Sequence, residues 1–164
     1  MATGPRYSVR FRRRRESKTD YHKRLSYLKS GKKRLVVRKS NSAVIAQLVE
    51  YSIKGDKTLL SVKSSTLKKF GWKGSVKNIP AAYLTGYLLG KENKAKEVLL
   101  DIGQIYSRKG VKVYAIAKGF KDAGNNLDFD ETMSPSQDRI EGKHLSADVQ
   151  KNFQKVKKKI EDKK

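Results

Sequence analysis

The stretch RLVVRKSNSAVIAQLVEYSIKGDKTLLSVKSS, residues 34 to 65, decides the fold. Its first run, RLVVRKS at 34–40, is rich in branched side chains and stops at Asn41-Ser42, a tight-turn signal. The second run, AVIAQLVEYSI at 43–53, stops at Gly55-Asp56, and KTLLSVKSS follows from residue 57. Strands joined by turns this short pair as an antiparallel meander. Along the second run Val44, Ala46 and Leu48 alternate with Ile45, Val49, Tyr51 and Ile53. Both faces therefore carry apolar side chains, and helices are expected to cover each at least partly.

Downstream, TLKKFGWKGSVKN at 66–78 reads as a loop or short helical turn. Asn78 and Pro80 open a helix, AAYLTGYLLG, with Ala81, Leu84 and Leu88 as its buried stripe and Gly90 at its end. The linker KENKAK leads to a short strand near 97–102. Strand, helix and strand at this spacing predict a right-handed βαβ crossover, with the new strand parallel to the third strand of the meander. A further helix is expected in GVKVYAIAKGFKDAG, with Val113, Ala117 and Phe120 inward. The stretch from Asn125 to Lys143 is polar and predicts no definite element. Ser146 then caps a last helix, whose Val149, Phe153, Val156 and Ile160 form a stripe that docks on the domain or on a partner.

Upstream of the meander, Thr19 is placed to cap a short helix in which Tyr21, Leu25 and Leu28 share one face, while His22, Lys23 and Lys29 make the other cationic. The chain before Ser17 has no apolar periodicity and is expected to order only on a partner. The fold class predicted is α/β: a mixed sheet of a three-strand antiparallel meander plus one parallel crossover strand, packed with helices. Three parts are expected: a basic extension over 1–18, an α/β core over 19–127, and a polar C-terminal extension over 128–164 that ends in a helix.

Charge narrows the function. The 164 residues hold 39 Lys and Arg against 16 Asp and Glu, a net +23. Residues 1–34 alone carry 13 basic side chains against Glu16 and Asp20, about half of the excess. A charge of this size calls for a polyanionic partner, most commonly nucleic acid. Arg6, Arg10, Arg12, Arg13, Arg14 and Arg15 dominate the start, and arginine pairs bidentately with phosphate and stacks on bases. Tyr7 and Phe11 lie among them and are placed to stack on unpaired bases. Trp72, between Lys69 and Lys73, is either a second stacking platform or an anchor of the core.

Other classes are disfavoured. No run is long enough to span a bilayer, the basic start has no apolar segment behind it, and it lacks the broad apolar face of a membrane-surface helix. There is no Cys, hence no disulfide or thiolate metal site, and two His do not suggest a metal centre. Phosphate-binding glycine motifs and nucleophile elbows are missing too. The acidic group Asp128, Asp130 and Glu131 reads as a solvated turn, since it lacks the spacing of a calcium loop. No cofactor, metal, membrane or small-molecule substrate is expected, and no catalysis. A packaging protein with general affinity for nucleic acid is the main alternative to a specific RNA binder. An RNA-processing enzyme would have to use that acidic group.

The succession RRRRESKTDYHKRLSYLKSGKKRLVVRKSN resembles the N-terminal signature of large-subunit ribosomal protein L-eighteen in its archaeal and eukaryotic branch. VIAQLVEY, WKGSVKNIPAAYLTGYLLG, EVLLDIG and GVKVYAIAKGFKDAG are similar to the family in order and spacing, over most of residues 10–124, and PSQDRIEGKHL resembles its archaeal C-terminal extension. NNLDFDETM departs from the pattern, standing where a Pro-His element is expected. The resemblance implies a cytoplasmic, non-enzymatic ribosomal protein that binds 5S ribosomal RNA and touches 23S ribosomal RNA and neighbouring proteins in the central protuberance. Carried over by motif, the RNA contacts are the tail from Arg6 to Lys18, then Lys23 and Arg24, then Lys32, Lys33 and Arg34, and Arg38, Lys39, Ser40 and Asn41 at the first turn. The loop Tyr106, Ser107, Arg108, Lys109 and Gly110 is another, placed so that the start of the helix after it would face phosphate.

Overall fold

Leu35 and Val37 of one strand, Val44, Ala46 and Leu48 of the next and Val62 of a third share one buried face, and the core is built on it. The computed structural model describes residues 4–93, 95 and 97–162. The first three residues of the extension, Lys94 and Lys96 of the linker, and the last two lysines lie outside the described residues. The meander consists of β1 (Lys33–Lys39), β2 (Val44–Glu50) and β3 (Lys57–Lys63). Its first turn closes with Ser40 donating its backbone N–H to the Ala43 carbonyl at 2.9 Å, and a register shift between Leu48 and Val49 bends the second pairing.

Two more strands, β4 (Glu97–Asp101) and β5 (Asn126–Asp128), complete a mixed sheet in the order β3-β2-β1-β4-β5. The crossover strand β4 runs in the same direction as β3, as expected, but its neighbour is β1, with Lys33 opposite Val98 and Val36 opposite Asp101. The connection thus passes over the whole meander. β5 pairs in parallel with β4 and was not foreseen, because a three-residue strand in a polar stretch leaves no periodic signal.

The connection itself is α3 (Ile79–Glu92). Asn78 caps it by accepting the Ala81 N–H, and every residue from Pro80 to Gly90 is buried. A helix apolar all round needs cover on all sides. The sheet supplies one side, and α4 (Lys112–Asp122) lies alongside with Val113, Ala117 and Phe120 turned in as predicted. Gly90 does not end α3. It sits inside the helix, where a Cβ would meet the Ala123 methyl at 2.6 Å, so the glycine serves close packing on the chain after α4.

On its far side α3 is covered by α6 (Ala147–Glu161), whose Phe153, Val156 and Ile160 are buried. The stripe read from the sequence thus docks on the domain itself. Tyr83 and Tyr87 of α3 stand under α6, and their hydroxyls donate to Asp122 and Glu161 at 2.7 and 2.9 Å. Burial first, then these hydrogen bonds, raise both phenols, that of Tyr87 to about 12. The layers are therefore sheet, then α3 with α4, then α6. A 3₁₀ helix (Ser64–Phe70) joins β3 to α3 and packs against α6, and α5 (Gln137–Glu141) bridges α3 and α6.

Among the described residues no long helix covers the other face of the sheet, contrary to the expected two-sided cover. Its positions on β1 are Arg34, Val36 and Arg38, and Gln47 faces the same way on β2, a surface too polar to bury under an apolar helix. Among the described residues α2 (Tyr21–Lys29) is the one helix that leans over it. Asp20 rather than Thr19 caps α2, accepting the His22 and Lys23 amides. The expected inward stripe of α2 is also corrected: Tyr21 and Leu25 are exposed, and Arg24, Tyr27 and Leu28 are its half-buried positions. Arg24 turns inward because a carboxylate meets it there. Ahead of α2 the extension holds one exposed helical turn, α1 (Arg12–Arg15).

Candidate nucleic-acid interface

The open sheet face forms the floor of a groove of about 610 Å³. Arg34, Val36 and Arg38 of β1, Gln47 and Val49 of β2 and Thr58 of β3 pave it. One wall is α2 with the chain before it, contributing Arg13, Lys18, Lys23 and Tyr27; the other is the loop from Ile102 to Tyr106. The groove thus gathers residues from three of the motifs singled out in the sequence: the tail, the first strand turn and the loop after β4. Arg13 is steadied there, its Nε donating to Thr19 Oγ1 at 2.8 Å.

Not every cation faces the groove as a free charge. Arg34 is only 3% exposed, and its guanidinium donates to Asp56 Oδ2 at 2.8 Å and Asp101 Oδ2 at 3.0 Å. Arg24 grips the same Asp56 through both nitrogens, each at 2.8 Å. The Arg24 guanidinium, with Arg34 behind it, holds the Asp56 carboxyl below its ordinary value against the upward push of burial, and Asp56 in turn raises Arg24. A buried guanidinium satisfied by two carboxylates is a structural tie. Arg34 is therefore corrected from an RNA contact to the post that fixes α2 and the β2–β3 turn to the sheet. Asp101 also accepts the Gly103 N–H at 2.9 Å, so one acid anchors both the post and the loop wall.

Lys32 and Lys33 pair with Glu97 and Glu50 at 2.8 and 3.7 Å, but these are exposed pairs, which hold little and open readily. Trp72 is the second correction. It is 3% exposed within the core, and its indole N–H donates to the Ser75 carbonyl at 3.2 Å, so its ring has no free face for a base. Lys73 beside it stays exposed. Ser40 spends its hydroxyl closing the first turn, on the Ala43 carbonyl and amide, while Arg38, Lys39 and Asn41 are exposed around it.

Tyr106 is 74% exposed at the loop wall, with the Arg108 guanidinium 4.8 Å from its ring centre. An aromatic ring and an arginine stacked at a groove edge form a platform a base can extend. Ser107 hydrogen-bonds to Tyr114, and Gly110 donates to the Met133 carbonyl at 2.9 Å, which pins the loop. Val111 precedes α4 without a side-chain cap, leaving the first amides of that helix open to an anion. Tyr7 and Phe11 are 55% and 81% exposed on the extension. Sequence reasoning missed Asp56 and Asp101, whose partner Arg34 lies 22 and 67 residues away.

The acidic group divides into separate tasks: Asp130 accepts from Thr132, and Glu131 pairs with Lys121. Among the described residues no cluster has the makings of a metal site, and no helix is long and apolar enough to cross a membrane.

Fold and groove together define a class: a small α/β binding module with a cationic, partly aromatic recess on the open face of its sheet. Residues 5–97 match the family described as ribosomal large subunit proteins 60S L5 and 50S L18. The large ribosomal subunit protein uL18 of Methanoregula boonei is 44% identical over 165 residues, covering 95% of each chain. That of Methanothermobacter thermautotrophicus is 48% identical, covering 88% of this chain and 77% of its own, and that of Korarchaeum cryptofilum is 46% identical, covering 92% and 79%. The chain belongs to the uL18 family, and as such is a structural component of the large ribosomal subunit and not an enzyme.

Proposed function

We propose that the chain binds 5S ribosomal RNA through the open sheet face and the arginine-rich extension, and helps to attach it to 23S ribosomal RNA and neighbouring proteins in the central protuberance. The observation that carries this is the groove, in which Arg13, Lys18, Lys23, Arg38 and Lys39 converge from separate parts of the chain around a floor too polar to be a core face. Phosphate contacts from these cations set orientation, while Tyr106 with Arg108, and Tyr7 and Phe11 on the extension, take unpaired bases. Arg6 to Arg15 order along the RNA, and Lys32, Lys33 and Asn41 extend the contact around the rim. Residues 1–18 act as the RNA-threading extension, 19–127 as the recognising core and 128–164 as the buttress behind it.

The test compares 5S RNA, an unrelated structured RNA of equal length and duplex DNA at two salt concentrations. Tighter binding of 5S RNA at moderate salt is the expected result. Equal affinities for all three would leave only a general nucleic-acid binder and sink the assignment.

A further inference from the structure

The side of the molecule opposite the groove is also cationic, in a different way. From Lys57 to Lys91 the sequence holds seven lysines and no acid or arginine. Between Val149 and Ile160, α6 holds five more lysines, again with neither. The fold brings the two stretches together. Asn152 of α6 accepts the Lys73 N–H at 3.2 Å and donates to the Gly71 carbonyl at 3.0 Å, clamping the loop after the 3₁₀ helix to α6. Lys159 reaches over that loop, its Nζ 3.5 Å from where a Cβ on Gly71 would lie.

The lysines of α6 then divide. Lys157 turns inward over the rings of Tyr83 and Tyr87, at 5.9 and 5.4 Å from their centres. Lys151, Lys155, Lys158 and Lys159 stand on the outer side, exposed, as are Lys68, Lys69 and Lys73 across the loop. Elsewhere lysines meet carboxylates, as Lys32, Lys121 and Lys143 do; among the described residues these seven make no ion pair. The acids of α6 are confined to its ends, Asp148 in the first turn and Glu161 in the last.

We propose that this lysine face, built from α6 and the segment 68–73, is a second RNA-binding surface that grips the backbone of a duplex without reading its bases. Lysine is a point charge suited to phosphate, without the planar fork that reads a base edge or stacks. No exposed aromatic side chain accompanies these lysines, unlike the groove with Tyr106. With the sheet and α3 between the two surfaces, one chain can hold two RNA segments on opposite sides. This deepens the proposed function by naming the surface that would meet the second RNA, and it rests on the groove taking the first.

The test uses the full chain saturated with 5S RNA, to which a labelled RNA duplex of about 16 base pairs is added. Wild type is expected to take up the duplex. The combined variant Lys69→Gln, Lys155→Gln, Lys158→Gln and Lys159→Gln should bind 5S RNA as before and capture the duplex at least about tenfold more weakly, while Lys→Arg at the same positions retains capture. Equal capture by the Gln variant, no capture by wild type, or mutual displacement of the two RNAs would overturn the second surface. A chain without preference for 5S RNA that still captures duplex through these lysines would overturn the proposed function and uphold this surface.

Discussion

Gly86 of α3 faces Ile116 of α4 so closely that a Cβ on Gly86 would lie 2.1 Å from the Ile116 carbonyl oxygen. The contact is reciprocated: a Cβ on Gly119 would lie 2.2 Å from the carbonyl oxygen of Tyr83. The two helices touch backbone to backbone, which sets how α4 lies on the sheet and hence where the Tyr106 loop stands. Gly86→Ala is expected to lower unfolding stability by about 3 kcal/mol, although alanine is the better helix former by about 1 kcal/mol. Chemical denaturation gives the sign, and a gain in stability would contradict the packing.

Asp56→Asn should cost about 2 kcal/mol at neutral pH, since Arg34 is then left inside with Asp101 as its one charged partner. Because the folded value of Asp56 is depressed, the stability it supplies is fully present above the ordinary carboxylate value of about 4 and is lost as pH falls below it through the lower folded value. The variant should therefore show a shallower acid limb in denaturation midpoints followed from neutral pH to pH 2. An unchanged acid limb would mean that the tie is not what holds α2.

Removing residues 1–17 should leave the melting temperature unchanged, because α1 buries no residue. RNA affinity should fall. The slope of its logarithm against salt should flatten by about 4 if each of the six arginines holds one phosphate. Titrations at several salt concentrations measure both quantities.

Trp72→Phe separates the two roles weighed for this side chain. It is expected to lose about 1 to 2 kcal/mol of stability, from the indole hydrogen bond and lost volume, with RNA affinity unchanged. A loss of affinity without loss of stability would reverse the assignment.

Tyr106→Ala should do the opposite. The ring is mostly exposed, so stability stays, while loss of a stacking partner weakens RNA binding by about 1 to 3 kcal/mol. Denaturation and binding on the same preparation decide it.

What could be read from the sequence follows how local each determinant is. The meander was legible because its turns and its alternation lie within a few residues of each other. The direction of β4 was legible from the strand, helix and strand spacing, since a helical crossover returns the chain to the end at which β3 begins, but its place beside β1 depends on how far α3 reaches across the sheet. Arg34 and Arg38 stand on the same face of one strand and look alike in sequence. Asp56 and Asp101, brought in by the fold, make the first a tie and leave the second at the groove. Likewise Trp72 between lysines resembles a stacking platform until the core closes around it.

The order of the strands also bears on the life of the protein away from RNA. The sheet has two borders, β3 and β5. β3 begins and ends with the exposed lysines Lys57 and Lys63, and β5 runs for only three residues. Neither border offers a long flat template onto which another copy could add a strand, and a charge of +23 keeps copies apart. Copies of the chain are thereby kept from joining their sheets edge to edge.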